Sequence, residues 1–265
     1  MSFRKMQSVG ICAVVLSWAF IGNTPALASI DYGDFSATNV DYLQVTESST
    51  TNSTALYGAP TISANAIEFA AASFGASSSG GVAEKGSGAV DVTQGDVTTT
   101  VDADNGVSVL GLQFEEAGDY TLGGTGTSAT YVSVSAPVTI TIEEVNGAPI
   151  TPIITTTNLV FTPSSSYSLP TNAGAGVIYS GSAMVNLSNL ILEAGDSGQA
   201  TEVSWDLDNT LTAASESGSV ALISKKAFSS NVMVEPIISS VPEPASLSLF
   251  VVALPLLAAR RRRKA

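Results

Sequence analysis

Carboxylates are the main side chains through which this sequence could do chemistry. Its 265 residues contain no histidine and one cysteine, Cys12, which lies in an apolar stretch near the N-terminus. Without histidine, a Ser-His-Asp triad and a His-ligated zinc or iron site are excluded. What remains are oxygen ligands for a hard cation such as Ca²⁺ and carboxylate pairs for glycoside hydrolysis.

Two short acidic segments have side chains spaced as calcium ligands could be. They are Asp102-Ala103-Asp104-Asn105-Gly106 and Asp206-Leu207-Asp208-Asn209. The candidate ligands are Asp102, Asp104, Asn105, Asp206, Asp208 and Asn209. Oxygen atoms at alternate positions suit Ca²⁺, but the first segment departs from an EF-hand loop in its glycine position and lacks the closing glutamate. Polar β-turns use the same residue types, and we favour turns over calcium sites for both segments.

Adjacent glutamates offer the other chemistry. Glu115 precedes Glu116, and Glu143 precedes Glu144. Neighbouring side chains on a strand point to opposite faces of the sheet, so the two glutamates of either pair cannot act on one substrate. Trp205 could be a sugar platform, and it is equally consistent with a core position. The sequence therefore predicts a protein that is not an enzyme, with a carboxylate-based glycoside-active enzyme as the least favoured alternative.

The central part of the chain is strongly acidic. Residues 29–241 contain 22 Asp and Glu but only three cations, Lys85, Lys225 and Lys226. Such a surface repels nucleic acid and attracts divalent cations. This region has no cysteine, so disulfides are excluded and stability must come from a core, ions or assembly.

Residue patterns predict strands rather than helices over this region. Apolar residues alternate from Tyr131 to Val145, and Asn146-Gly147 suits the turn that follows. We expect a turn at Glu115–Asp119, a flexible loop over residues 72–88 and a strand over Val177–Leu192. The predicted fold class is all-β, an antiparallel β-sandwich or jelly-roll-like body over residues 29–240.

The N-terminus has the features of a secretory signal. Arg4 and Lys5 precede a mostly apolar stretch over residues 9–21, which we expect to form a signal helix. Ala26 and Ala28 then supply an A-x-A cleavage site. The sequence therefore predicts a signal peptide over residues 1–28.

The C-terminus combines three features in order. Pro242-Glu243-Pro244 precedes an uncharged stretch over residues 245–259. The basic cluster that follows consists of Arg260, Arg261, Arg262, Arg263 and Lys264. As a helix the stretch would be roughly 22 Å long, short for a hydrocarbon core of about 30 Å. We expect a short transmembrane helix with the cations held on the cytoplasmic side.

This order resembles the PEP-CTERM sorting signal of exopolysaccharide-producing Gram-negative bacteria, and the resemblance covers residues 241–265. It implies transient anchoring in the inner membrane and cleavage near Pro242-Glu243-Pro244 by an exosortase-type membrane protease. The expected destination is the cell surface or the extracellular matrix, with polysaccharide as a candidate partner. Tails of this type are also labelled ice-binding-protein C-terminal domains, a label that is no evidence of ice binding.

The favoured function is that of a non-enzymatic surface or matrix protein. A calcium-dependent or carbohydrate-binding adhesion module is the main alternative.

Overall fold

Strands dominate the computed structural model of the protein, which describes residues 28–85, 88–225 and 232–240. Within these ranges there are seventeen strands and one helix, α1 (Leu187–Glu193). The strands of the N-terminal half are β1 (Ala28–Ser36), β2 (Val40–Ser49), β3 (Thr61–Ser63), β4 (Ala66–Phe69), β5 (Gly75–Ser79), β6 (Val82–Ala83), β7 (Val90–Ala103) and β8 (Val107–Gly124). Those that follow are β9 (Tyr131–Ser135), β10 (Pro137–Val145), β11 (Ala148–Asn158), β12 (Val160–Thr162), β13 (Ser166–Ser168), β14 (Gly174–Asn186), β15 (Ala200–Ala214), β16 (Ser219–Lys225) and β17 (Val232–Ser240).

Alternating side chains explain why these segments form strands. In β10, Val138, Ile140 and Ile142 are fully buried, and the threonines between them are half-buried. β-branched residues favour extended backbone, and a period of two puts the apolar row on one face. The Asn146-Gly147 turn, with positive φ at both residues, joins β10 to β11 as the sequence predicted.

The strands form two layers in which every pairing is antiparallel. The first layer has the order β1-β2-β7-β15-β10-β11, with β9 and β13 extending it beside the C-terminal part of β15. The second layer is built on β8. One edge of β8 pairs with β14, and the other pairs with β17 and then β16. Ala200 of β15 pairs with Val109 of β8, which joins the layers into a curled, sandwich-like sheet.

Aromatic contacts fill the space between the layers. Trp205 of β15 is 2% exposed and meets Phe114 of β8 edge to face, with ring centroids 5.8 Å apart. Tyr57 makes similar edge contacts with Phe69 and Phe74. Trp205 is therefore a core residue, and it is not exposed as a platform for a sugar.

The turn expected at Glu115–Asp119 is wrong, because β8 runs through it without interruption. The turn was expected because the segment contains Gly118. It is a buried strand residue against which the Tyr179 hydroxyl and the Ser224 carbonyl pack, so close that a Cβ would overlap both. A glycine is needed at this position because only a residue without a Cβ allows such close packing, and the strand makes no turn here.

Two other sequence expectations need correction. The strand expected over Val177–Leu192 ends at Asn186, whose side chain accepts a hydrogen bond from the Asn189 amide and caps α1. The segment 72–88, expected to be a loop, contains β5 and β6, and β5 pairs with β16.

Most of the predicted targeting features lie outside the described residues. These are the signal helix with Ala26, the motif Pro242-Glu243-Pro244, the span over residues 245–259, and the cluster Arg260, Arg261, Arg262, Arg263 and Lys264. Ala28 is the first residue of β1. In the ranges that the structure does describe, no helix has the length and apolar character needed to cross a bilayer.

Substituting Gly118 by alanine should destabilise the fold. The new Cβ has no room beside Tyr179 and Ser224, and overpacking of this kind costs about 1–3 kcal/mol. Urea denaturation measures the change. Gly123→Ala, in the same strand, is the matched control, because its nearest contact would be an ordinary 3.5 Å to Val220. Equal stability of the two variants would contradict the packing role of Gly118.

Candidate functional site

The centre of the sandwich contains a buried lysine. Lys225, the last residue of β16, is 2% exposed. Its Nζ lies 2.5 Å from Oε1 of Glu116 on β8 and donates to Oδ1 of Asn209 on β15 at 2.8 Å. Glu116 and Asn209 are buried as well. An amine, a carboxylate and a primary amide therefore meet in the dry interior, and we call these three residues the buried triad.

Aromatic residues surround the buried triad. The Asn209 Nδ2 donates to the Tyr57 hydroxyl at 2.8 Å, and this hydroxyl donates to the Gly95 carbonyl at 3.1 Å. The Phe74 ring lies under Lys225, with 5.4 Å from Nζ to the ring centroid. These contacts fix the orientation of the Asn209 amide, with its oxygen toward the lysine and its nitrogen toward the tyrosine.

Burial sets the electrostatics of the buried triad. Loss of hydration lowers the pKa of Lys225, and attraction to Glu116 opposes this shift without cancelling it. Apart from Lys225, neither carboxylate oxygen of Glu116 has a hydrogen-bond partner among the described residues. The buried Lys225 ammonium therefore loses its proton more readily than an ammonium in water does.

Glu47 holds the loop that carries Tyr57. Its carboxylate is 1% exposed and accepts hydrogen bonds from the backbone amides of Leu56, Tyr57 and Gly58. The Tyr32 hydroxyl donates to the same carboxylate at 2.7 Å. Four donors around one buried carboxylate satisfy its charge, and they place the Tyr57 ring against Asn209.

The first predicted calcium segment lies at the tip of the β7–β8 hairpin. Asp102, Asp104 and Asn105 line an open cleft together with Asp41 and Glu144. Partial burial raises the pKa of Asp102, and repulsion from Asp41 and Asp104 adds to it. Across the described ranges, no three or more His, Cys, Asp or Glu side chains are grouped so that they could hold a metal ion.

The second predicted calcium segment is split between two faces of β15. Asp206 and Asp208 point to the outer face, whereas Asn209 points inward to Lys225. The segment is a continuous strand, so the β-turn considered for it is wrong. Its three side chains do not converge on one cation.

Asp208 instead faces another carboxylate. Asp96 of β7 lies directly opposite it, and Gln94 donates to Asp96 at 2.8 Å and to Asp208 at 2.9 Å. Burial raises the pKa of Asp96 to about 6, with the Gln94 hydrogen bond opposing and repulsion from Asp208 and Asp206 adding. This is a strained surface pair whose repulsion is relieved by one proton.

Sequence reasoning missed the role of four residues at the centre: Glu47, Tyr57, Glu116 and Lys225. A signal for Lys225 was present. Ser219, Ala221 and Ile223 alternate on the buried face of β16, and the same period continues to Lys225. Glu116 was overlooked because it was assigned to a solvated turn.

Comparisons with known proteins give no family for the chain. No known protein family matches it, and no curated protein does. Among solved structures it is similar to the enzymatically active domain of tailspike protein 4 from bacteriophage CBA120, at 12% identity and a TM-score of 0.20, over 56% of this chain and 15% of that one. The family 11 xylanase from Neocallimastix patriciarum aligns at 12% identity and a TM-score of 0.21, over 79% and 99%. The infectious bursal disease virus Gx strain structure aligns at 10% identity and a TM-score of 0.20, over 69% and 53%. At such TM-scores these similarities carry no argument.

Replacing Glu47 by glutamine should loosen the Tyr57 loop. The amide nitrogen of glutamine cannot accept the hydrogen bonds that the second carboxylate oxygen accepts, and hydrogen bonds to a charged group contribute about 1.5–3 kcal/mol each. We expect the free energy of unfolding to fall by about 3 kcal/mol in urea denaturation. Tyr32→Phe removes a single bond to Glu47 and should cost only about 1 kcal/mol. Equal losses for the two variants would refute the anchoring role.

Asp96→Asn should stabilise the protein at neutral pH and have little effect in acid. The folded-state pKa of Asp96, about 6, is above the ordinary value, so the folded state binds the proton more tightly. Its stabilising contribution is complete below the unfolded-state pKa and is lost as pH rises through about 6. Because the group is half-exposed, we expect a gain of only about 1 kcal/mol at neutral pH.

Thermal unfolding at neutral pH and in mild acid measures this difference. Asp196→Asn removes the same charge from an exposed position and serves as control. A gain for Asp96→Asn that is the same at both pH values would contradict the assignment.

Proposed function

We propose that the chain is a non-enzymatic protein of the bacterial cell surface or extracellular polysaccharide matrix, sorted and cut through its C-terminus by an exosortase-type membrane protease. The observation that carries this proposal is the order of the last residues. Pro242-Glu243-Pro244, the uncharged stretch 245–259 and the basic residues 260–264 follow one another without interruption.

Each part of the tail has a physical role in this proposal. Proline disfavours helix, so Pro242-Glu243-Pro244 would present an extended, accessible backbone just outside the bilayer. The short span would hold it there, and the basic cluster would stay in the cytoplasm and delay release. In this proposal the tail is the substrate, and the partner protease is the catalyst that cleaves it.

Two observations on the body favour a structural role over the adhesion alternative. Trp205 packs on Phe114 in the core, which removes the aromatic groove that a carbohydrate-binding module would use there. Asp208 and Asn209 are on opposite faces of β15, which weakens the case for calcium-dependent adhesion. The acidic surface, with 22 carboxylates between residues 29 and 241, suits a soluble component of a crowded matrix.

Intact mass spectrometry of the protein purified from its native host tests the proposal. We expect a mature chain that begins at Ser29 and ends near Val241. The double variant Pro242→Ala/Pro244→Ala should keep its tail, because the protease no longer finds the extended motif. Pro149→Ala/Pro152→Ala, which changes two exposed prolines of β11, is the control and should be cut like the wild type. A wild-type chain that runs to Ala265 would overturn the processing claim.

A further inference from the structure

The buried triad has the chemistry of a cross-link. Lys225 supplies a primary amine, Asn209 a primary amide, and Glu116 a carboxylate in contact with the amine. We infer that Lys225 and Asn209 are the site of a spontaneous intramolecular amide bond between their side chains, with Glu116 as the proton carrier. The chain loses one ammonia, which departs as ammonium.

Distances support attack by the amine. Nζ lies 2.8 Å from Asn209 Oδ1, and the amide carbon is one C=O bond, about 1.2 Å, from that oxygen. The two hydrogen bonds of the Asn209 amide prevent it from turning away from Lys225. Holding reactants close together in a fixed orientation replaces a bimolecular encounter and so lowers the barrier to the reaction.

The groups of the buried triad can supply and accept every proton that the reaction moves. The Lys225 ammonium gives one proton to the Glu116 carboxylate, which leaves a neutral amine. The amine nitrogen attacks Cγ of Asn209, and a C–N bond forms. The bond from Cγ to Nδ2 then breaks. The departing nitrogen takes one proton from the former amine and one from Glu116, so that ammonium leaves and Glu116 is a carboxylate again.

Burial favours this reaction over its competitors. Desolvation destabilises the ammonium form of Lys225, so the neutral amine that must attack is easier to form. Glu116 assists as the general base that accepts the proton. Asn209 is fully buried and Lys225 nearly so, which disfavours water as a nucleophile at Cγ. The leaving nitrogen lies against the Tyr57 hydroxyl, whose hydrogen bond holds it.

The bond would do for this chain what a disulfide does elsewhere. Asn209 belongs to β15 in the first layer, and Lys225 ends β16 in the second. A covalent amide between them would join the two layers at their centre and would resist reduction. Residues 29–241 contain no cysteine, so this part of the chain cannot form a disulfide in its place.

Mass spectrometry of the full chain under denaturing conditions tests the inference. Once both termini have been read from peptides, the wild-type mass should be lower than its sequence by one ammonia, about 17 Da, the leaving group of the amide-forming step. Cleavage after Glu216, which lies between the two residues, should yield a branched peptide that links Asn209 to Lys225. This peptide distinguishes the cross-link from a cyclic imide at an Asn-Gly step, which loses the same mass without joining two segments.

Variants assign the roles. Lys225→Met and Asn209→Ala should each have the full sequence mass, and Glu116→Gln should leave Lys225 and Asn209 unlinked. Lys85→Met changes the other described lysine and should still lose one ammonia. A folded wild-type chain at its full mass, with peptides of Asn209 and Lys225 found separately, would overturn the inference whatever the variants do. The result is independent of where the tail is cut.

Discussion

The structure depends on one buried lysine. Lys225 lies between the two layers, and the charge that it carries before the inferred bond forms is tolerated only if it is paired and hydrogen-bonded. Glu116 and Asn209 supply those contacts from two other strands. β8, β15 and β16 must therefore meet in one register, because a slip of one residue would turn a partner to the opposite face. The polar contact specifies how the layers stack, and the apolar core supplies most of the stabilisation.

Contacts extend from this centre to the edge of the first layer. Asn209 contacts Tyr57, and the backbone of Tyr57 is held by Glu47, which also binds Tyr32 of β1. Both carboxylates of this path are inside the protein, in a chain whose remaining acids are mostly at the surface. The region 29–241, which contains no cysteine, thus gains specificity from buried charge, and the bond that we infer between Lys225 and Asn209 would make that specificity permanent.

The sequence predicts the fold class better than the site. The period of two in β10 and the Asn146-Gly147 turn were sufficient for strands and an antiparallel hairpin, because both signals are local. Gly118 was misinterpreted, because its requirement for a glycine comes from Tyr179 and Ser224, which are distant in the sequence. The buried triad could not be predicted for the same reason. Lys225 continues an alternating buried row, but which residues meet its charge depends on how the two layers stack.

A stable core of the kind that the buried triad provides would suit the proposed sorting route. A protein released into a matrix would meet proteases and denaturants outside the cell, where it is not replaced. Nuclear magnetic resonance of the protein labelled with ¹⁵N at lysine Nζ tests the central contact most directly. The account predicts that Lys225 gives an amide N–H signal correlated with Cγ of Asn209. A lysine signal of the ammonium or free-amine type at this position, in the folded protein, would contradict it.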